Sequence, residues 1–272
     1  MEVPMPELPE IFCRAREMNE YLTGRTIASV EVKQPKCLNV PVETFMEGLR
    51  GNTLGPTTYH GKWLLTELTQ GHLLVNLGMG GELLLVDHDV MPEKWRVRID
   101  FCDGKTFAVN FWWFGSTHYV APGALAQHQQ SAKLGPNALD LTADQFQAIL
   151  AGRRGRIKSF LLDQSNLAGI GNAYIHDILF RAGIHPSRSI STLGDRERHE
   201  LFLSIRTEFE RSIEKGAAQY ELNLLGGRGE FGVADLLVGY REGKPCPTCA
   251  AEILKVKTGS TTSYICPKCQ VL

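Results

Sequence analysis

Apolar positions recur every three or four residues through Ile11, Ala15, Met18 and Leu22, predicting a helix over residues 9–23 that Gly24 ends. From there to about residue 120 the period shortens to two. Residues 27–32 alternate, and short apolar runs follow at 62–68, 72–77, 82–86, 95–101 and 106–111. Turn formers stand between many of them (Asn52, Gly61, Gly71, Gly80-Gly81, Asp103-Gly104), so this half reads as an antiparallel β-sandwich. After Pro122 the character changes. Residues 127–132 are polar, 134–137 look like a linker, and helical spacing returns over 142–151, 156–164, 172–182 and 193–215. Thr142 with Gln145 three residues on is a capping signal for the first of these helices.

Composition adds bounds. A chain of 272 residues with 43% apolar content can bury a sizeable core and is expected to form two domains. The net charge is −1, so a nucleic-acid face has to come from segregated charge. Residues 151–190 supply it: Arg153, Arg154, Arg156, Lys158, Arg181 and Arg188 stand against only Asp163 and Asp177. Four of the seven cysteines form two CxxC knuckles, Cys246/Cys249 and Cys266/Cys269, with sixteen residues between them. That spacing predicts a closed ribbon holding one structural zinc ion, with a hairpin between the knuckles. The remaining Cys13, Cys37 and Cys102 are scattered, as in a reducing cytosol. With no apolar run of membrane length and three glutamates in residues 1–12, the chain is expected to be soluble and cytoplasmic, without a membrane partner.

Two stretches carry candidate chemistry. Met5-Pro6-Glu7-Leu8-Pro9-Glu10 places a proline and a carboxylate at the start of the first helix. If translation starts at Met5 and that residue is trimmed, Pro6 carries a free secondary amine. Such a group titrates near ~8, against ~10.4 for lysine, and is partly nucleophilic at pH 7. Attack on a sugar C1′ would give a charged iminium, with Glu7 shuttling protons as the ring opens. In a chain beginning at Met1, the segment Met1-Glu2-Val3-Pro4 leaves Pro6 as an imide without basicity. The alternative for Pro6 is a helix-start proline and nothing more. The second stretch, Gln164 to Tyr174, puts Gly169 and Gly171 ahead of Asn172, a predicted N-cap whose helix start would suit phosphate.

Taken together, Met5-Pro-Glu-Leu-Pro-Glu10, Gly61-Lys-Trp-Leu-Leu65, Leu77-Gly-Met-Gly-Gly81, Phe114-Gly115, Leu162-Asp-Gln164, Gly169-Ile-Gly-Asn172, Tyr240-Arg-Glu-Gly243 and the four cysteines resemble the formamidopyrimidine-DNA glycosylase / endonuclease VIII family. The resemblance spans nearly the whole chain and implies an α+β fold. The N-terminal helix and β-sandwich would occupy 1–125, a linker 126–138, a helix–two-turn–helix DNA-binding domain 139–238, and the zinc ribbon 239–272. It further implies a bifunctional DNA glycosylase/AP lyase of base excision repair, monomeric and nucleoid-associated. The partner would be double-stranded DNA with a lesion or abasic site. By motif match Pro6 is the nucleophile, Glu7 the acid/base residue and Lys62 a phosphate-binding, catalytic lysine. Asn172 would hold the phosphate beside the flipped nucleotide and Met79 would fill the vacated space. Lys158 and Asn76 join them as DNA-binding candidates.

Departures fall on functional positions. Asn110-Phe-Trp-Trp-Phe-Gly115 replaces the family's longer arginine-bearing run, so Trp112 or Trp113, beside Phe114, would stack where an arginine reads the orphaned base. The alternative is tryptophans packed in the sandwich. Thr261 stands where a phosphate-gripping arginine is expected, and Asn76 where the family has histidine. Residues 226–231 fall at the family's lid over the damaged base. These losses leave a second reading, a non-catalytic binder of damaged DNA with its proline blocked, and a remoter third, a zinc-ribbon module for RNA or protein.

Overall fold

The computed structural model describes residues 5–259 and 261–272. Met1-Glu2-Val3-Pro4, the segment expected to block Pro6, therefore lies outside the described residues. Two compact units emerge. One comprises the chain up to Lys133 together with Lys215–Glu230; the other joins Leu134–Glu214 to Phe231–Leu272.

In the first unit, helix α1 (Leu8–Tyr21) and helix α2 (Val42–Leu49) accompany two antiparallel four-stranded sheets. One sheet has the order β1 (Ile27–Val32), β6 (Val97–Phe101), β7 (Lys105–Asn110), β5 (Glu82–Asp87). The other runs β2 (Leu54–His60), β3 (Trp63–Leu68), β4 (His72–Asn76), β8 (Ser116–Val120). Strand β6 shows how the pattern does this: Val97, Ile99 and Phe101 are buried while Arg98 and Asp100 are only half-buried. Ile11 and Met18 of α1, Phe45 of α2, and Val30, Phe107, Leu64 and Val75 from the two sheets share one core.

Strand β2, strand β8 and helix α2 were not expected. In β2 the Gly55-Pro56 pair reads as a loop, yet the strand keeps its pairing because the register with β3 shifts between Leu54 and Thr57. An irregularity of that kind is where a strand tolerates glycine and proline.

The second unit holds α3 (Ala143–Leu150), α4 (Ile157–Leu162), α5 (Ile175–Arg181) and α6 (Asp195–Glu214). It ends in the hairpin β9 (Leu254–Thr258) and β10 (Thr261–Ile265). Helix α3 starts as its sequence predicts. Thr142 Oγ1 accepts from the Gln145 N–H at 3.3 Å, and Gln145 Oε1 accepts from the Thr142 N–H at 2.9 Å. Asp177, wholly buried on α5, accepts from the backbone N–H groups of Leu237, Val238 and Gly239 at 2.6–2.9 Å and so fixes the approach to the ribbon. The stretch 139–238, expected as one helical domain, is interrupted: after α6 the chain enters the first unit at Lys215 and leaves it at Glu230. Leu224 is the reason, since it is buried in the sandwich core.

Candidate functional site

Glu7 is the N-cap residue of α1, and Pro9 lies in the first turn, where a missing N–H costs nothing. Glu10 Oε2 accepts from the Glu7 N–H at 2.9 Å, and both glutamates are buried. Carboxylates at this end of a helix are favoured by its dipole. Pro6, also buried, precedes them directly.

Lys62 is half-buried at the tip of the β2–β3 hairpin, a two-residue turn whose first position, Gly61, has φ +57°. Asn76, at the end of β4, donates from Nδ2 to the Lys62 carbonyl at 3.1 Å and accepts at Oδ1 from the Gly78 N–H at 3.0 Å. Both ends of its amide are thus used on backbone. Asn76 ties the Lys62 turn to the Gly78-Met79 loop.

Met79 pairs with the aromatic run between β7 and β8. Its N–H donates to Trp113 O at 2.8 Å and its carbonyl accepts from the Trp112 N–H at 2.9 Å. Gly78 (φ +56°) permits the approach, because a Cβ there would lie 2.2 Å from Trp113 O. Only Phe111 of the run is buried; Trp112, Trp113 and Phe114 are 59, 66 and 78% exposed. The tryptophans are therefore not sandwich packing but an open aromatic tip braced against Met79.

In the second unit Gln164 brackets the glycine turn, donating to Ile170 O at 2.8 Å and accepting from the Gly169 N–H at 2.9 Å. Asn172 is exposed on the following turn, but it is not the cap: α5 begins at Ile175, with Tyr174 in the N-cap position. Lys158 also departs from expectation. It is buried, with Nζ donating to Thr262 O at 2.5 Å and to Ser263 Oγ at 2.9 Å. Its ammonium is turned to the ribbon hairpin. Thr261 opens β10, half-buried.

The ribbon cysteines converge, with all four sulfurs within 4.8 Å of one another. Cys246 and Cys269 are 3.8 Å apart and Cys249 and Cys266 3.4 Å. Four thiolates about 2.3 Å from a tetrahedral zinc stand about 3.8 Å apart, so the donor set fits that ion.

Three family models match in chain order. They are the formamidopyrimidine-DNA glycosylase N-terminal domain over residues 5–110, the H2TH domain of the same enzymes over 134–223, and the zinc finger found in FPG and IleRS over 243–271. Formamidopyrimidine-DNA glycosylase of Streptococcus pyogenes serotype M6 is 34% identical, over 98% of each chain. That of Shouchella clausii is also 34% identical, over 98% of this chain and 99% of its own.

The chain belongs to the formamidopyrimidine-DNA glycosylase family.

Among solved structures, Lactococcus lactis Fpg in complex with an abasic-site DNA superposes with TM-score 0.89 at 28% identity, covering 98% of this chain and 100% of that one. A Lactococcus lactis mutant bound to a Fapy-dG-containing DNA matches equally well. Zinc is thus the cofactor of the ribbon, and no helix among the described residues is long and apolar enough to cross a membrane.

Within this family frame, two buried groups were missed by sequence reasoning. His118 Nδ1 and His128 Nε2 share a hydrogen bond of 2.8 Å beside Trp63, and His128 Nδ1 meets Ser131 Oγ at 2.8 Å. Burial, and then His128, push His118 down to about 4, so the pair stays neutral and anchors the 125–131 segment to β8. Glu221 is the other. It lies buried in the segment that returns to the first unit. No spacing marks either: isolated histidines and a lone glutamate carry no periodic signal.

Proposed function

We propose that this protein is a bifunctional DNA glycosylase/AP lyase that excises oxidised bases and cuts the strand at the resulting site. The observation that carries the reading is the family match along the whole chain, with Pro6-Glu7 intact at the buried start of α1. The chemistry follows from these residues. In the acting form Pro6 is the amino terminus, and its nitrogen attacks C1′ of a nucleotide taken out of the stack. Glu7, held at the helix start, accepts the nitrogen's proton and delivers it to the ring oxygen as the iminium forms. Lys62, on the hairpin tip in the same unit, supplies a cation for phosphate. Met79 and Phe114 are the apolar wedge that keeps the vacated stack filled.

Asn172, exposed on its turn, is the candidate grip on a flanking phosphate. Trp112 and Trp113 stack on the unpaired partner base, and because a ring face reads base identity poorly, the selectivity for the opposite base is weak. The zinc ion cross-links the ribbon and supplies no chemistry to the reaction. The working place of such an enzyme is on chromosomal DNA inside the cell.

Borohydride trapping tests the proposal. Chains started at Met5 and at Met1 are each given duplexes bearing an abasic site or an oxidised purine. The expected result is a covalent protein–DNA adduct from the Met5 form, abolished by Pro6→Gly. Tight lesion binding with no adduct from either form would leave a binder, not an enzyme.

A further inference from the structure

The segment Lys215–Glu230 is laced into the first unit just after Glu221. Arg14 Nη1 donates to Leu222 O at 2.5 Å, the Leu224 N–H donates to Glu17 Oε2 at 2.8 Å, and the Leu85 N–H donates to Leu224 O at 2.8 Å. Asn223 Oδ1 closes the turn that follows, accepting from the N–H groups of Leu225 and Gly227 at 3.0 and 2.8 Å. Helix α1 and strand β5 thus hold the carrier of this acid in place. Glu221 itself is 5% exposed, and its Oε1 has no hydrogen-bond partner among the described residues. A buried acceptor left alone is costly, and a catalytic role is one of the few reasons for which native structures keep one.

The charged groups facing it are Glu10 and Arg14 from α1, Glu82 from β5 and Arg228 from its own segment. Burial first, then Glu10, with Glu82 adding to it, push the Glu221 carboxyl up to about 8 against the opposing pull of Arg14 and Arg228. At neutral pH it holds a proton. Glu10, whose carboxylate grips the Glu7 N–H, is among the charges that act on it. Arg14, one turn further along α1, is hydrogen-bonded to the neighbouring Leu222 carbonyl, so this acid faces the first half of the helix that Pro6 and Glu7 lead into.

We propose that Glu221 is a second acid of the reaction, handing a proton to the damaged base as it leaves C1′. The inference rests on the glycosylase reading above. As the Pro6 nitrogen forms its bond to C1′, the glycosidic bond breaks and its electron pair departs with the base. The base takes the Glu221 proton and leaves neutral, while Glu221 becomes a carboxylate that solvent reprotonates after turnover. The proton released by the Pro6 nitrogen goes to Glu7 and then to the ring oxygen, so Glu7 is occupied and the base needs a donor of its own. An acid that titrates near working pH is suited to that transfer.

Cleavage at a preformed abasic site has no base to expel, which gives the test. Full-length Met5-start protein and its Glu221→Gln variant are compared from pH 6 to 10 on an oxidised-purine duplex and an abasic-site duplex, in single turnover. Glu221→Gln should lower the ratio of base release to abasic-site cleavage by about 100-fold. The parent should show a decline in base release above pH about 8, and Glu221→Gln should remove it. The Glu82→Gln variant leaves Glu221 in place but removes a negative neighbour, so that decline should begin at lower pH. Equal loss of both activities in Glu221→Gln, or an alkaline decline that neither variant moves, overturns the inference and leaves Glu221 a packing residue. Failure of every form to trap DNA overturns the glycosylase reading itself.

Discussion

Lys158 carries its charge into the protein. Burial pushes its ammonium down to about 8, and both acceptors it reaches, Thr262 O and Ser263 Oγ, belong to the ribbon hairpin. A phosphate-binding lysine and a buried tether fail differently when changed. Lys158→Met should cost about 1–3 kcal/mol of stability, because buried acceptors are left without a donor. Thermal unfolding measures that loss. The salt dependence of DNA binding should stay as it was, whereas removal of a phosphate contact lowers its slope by about one. A fall in slope with no loss of stability would return Lys158 to the DNA face. Counting basic residues along a sequence finds charge but not its direction, which is why Lys158 was grouped with the arginines around it. Asn172 illustrates the same blindness, since the glycines before it mark a turn without saying which residue begins the helix. Cysteine spacing is different. Two CxxC knuckles carry their geometry in the chain itself, and the four sulfurs meet as the spacing requires.

At the scale of elements, the loop between β7 and β8 shows what a local pattern leaves open. Phe111-Trp112-Trp113-Phe114 reads equally well as core or as an exposed tip, because burial depends on what packs over it. The structure resolves this through Met79, whose backbone pairs with Trp112 and Trp113 and holds the rings outward. Removing one ring, as in Trp113→Ala, should weaken binding to lesion DNA by about 1–3 kcal/mol, the worth of one base–aromatic stack. Gly78→Ala keeps every ring but places a Cβ 2.2 Å from Trp113 O at a φ of +56°. It should approach the same loss by tilting the tip. Fluorescence anisotropy gives both affinities, and tryptophan quenching on DNA addition reports whether the rings still stack. Full affinity in both variants would show that the tip does not touch DNA. The sandwich around this loop was mostly legible, because β6 alternates cleanly and β5 and β7 are short apolar runs set between turn formers. Strand β2 was hidden by its Gly55-Pro56 pair, and the return of Lys215–Glu230 was hidden because its anchor, Leu224, stands between Leu222 and Leu225 in a short stretch with neither helical nor strand spacing.

For the molecule as a whole, a net charge of −1 gives no general attraction to a polyanion, so affinity for DNA has to be concentrated where cations are free. The structure narrows the basic stretch between residues 151 and 190. Lys158 is buried, Arg181 pairs with the buried Glu208, and Arg188 is bound to Glu197 at 3.1 Å and to Thr192. Arg153, Arg154 and Arg156 are exposed on the approach to α4, where the Arg153 guanidinium lies 5.8 Å from the Phe160 ring. Each phosphate neutralised by such a side chain releases a counterion and steepens the fall of log K with log salt by about 0.9. Changing all three to glutamine should therefore flatten that slope by about 2–3, measured between 50 and 200 mM salt on undamaged duplex. Affinity at the low-salt end should fall most, while the preference for a lesion over undamaged DNA should survive, since arginines on phosphates position a duplex without reading it. A slope that does not move would mean the three guanidiniums face solvent in the complex. The cationic share of binding would then have to come from Lys62 and the lysines of the ribbon.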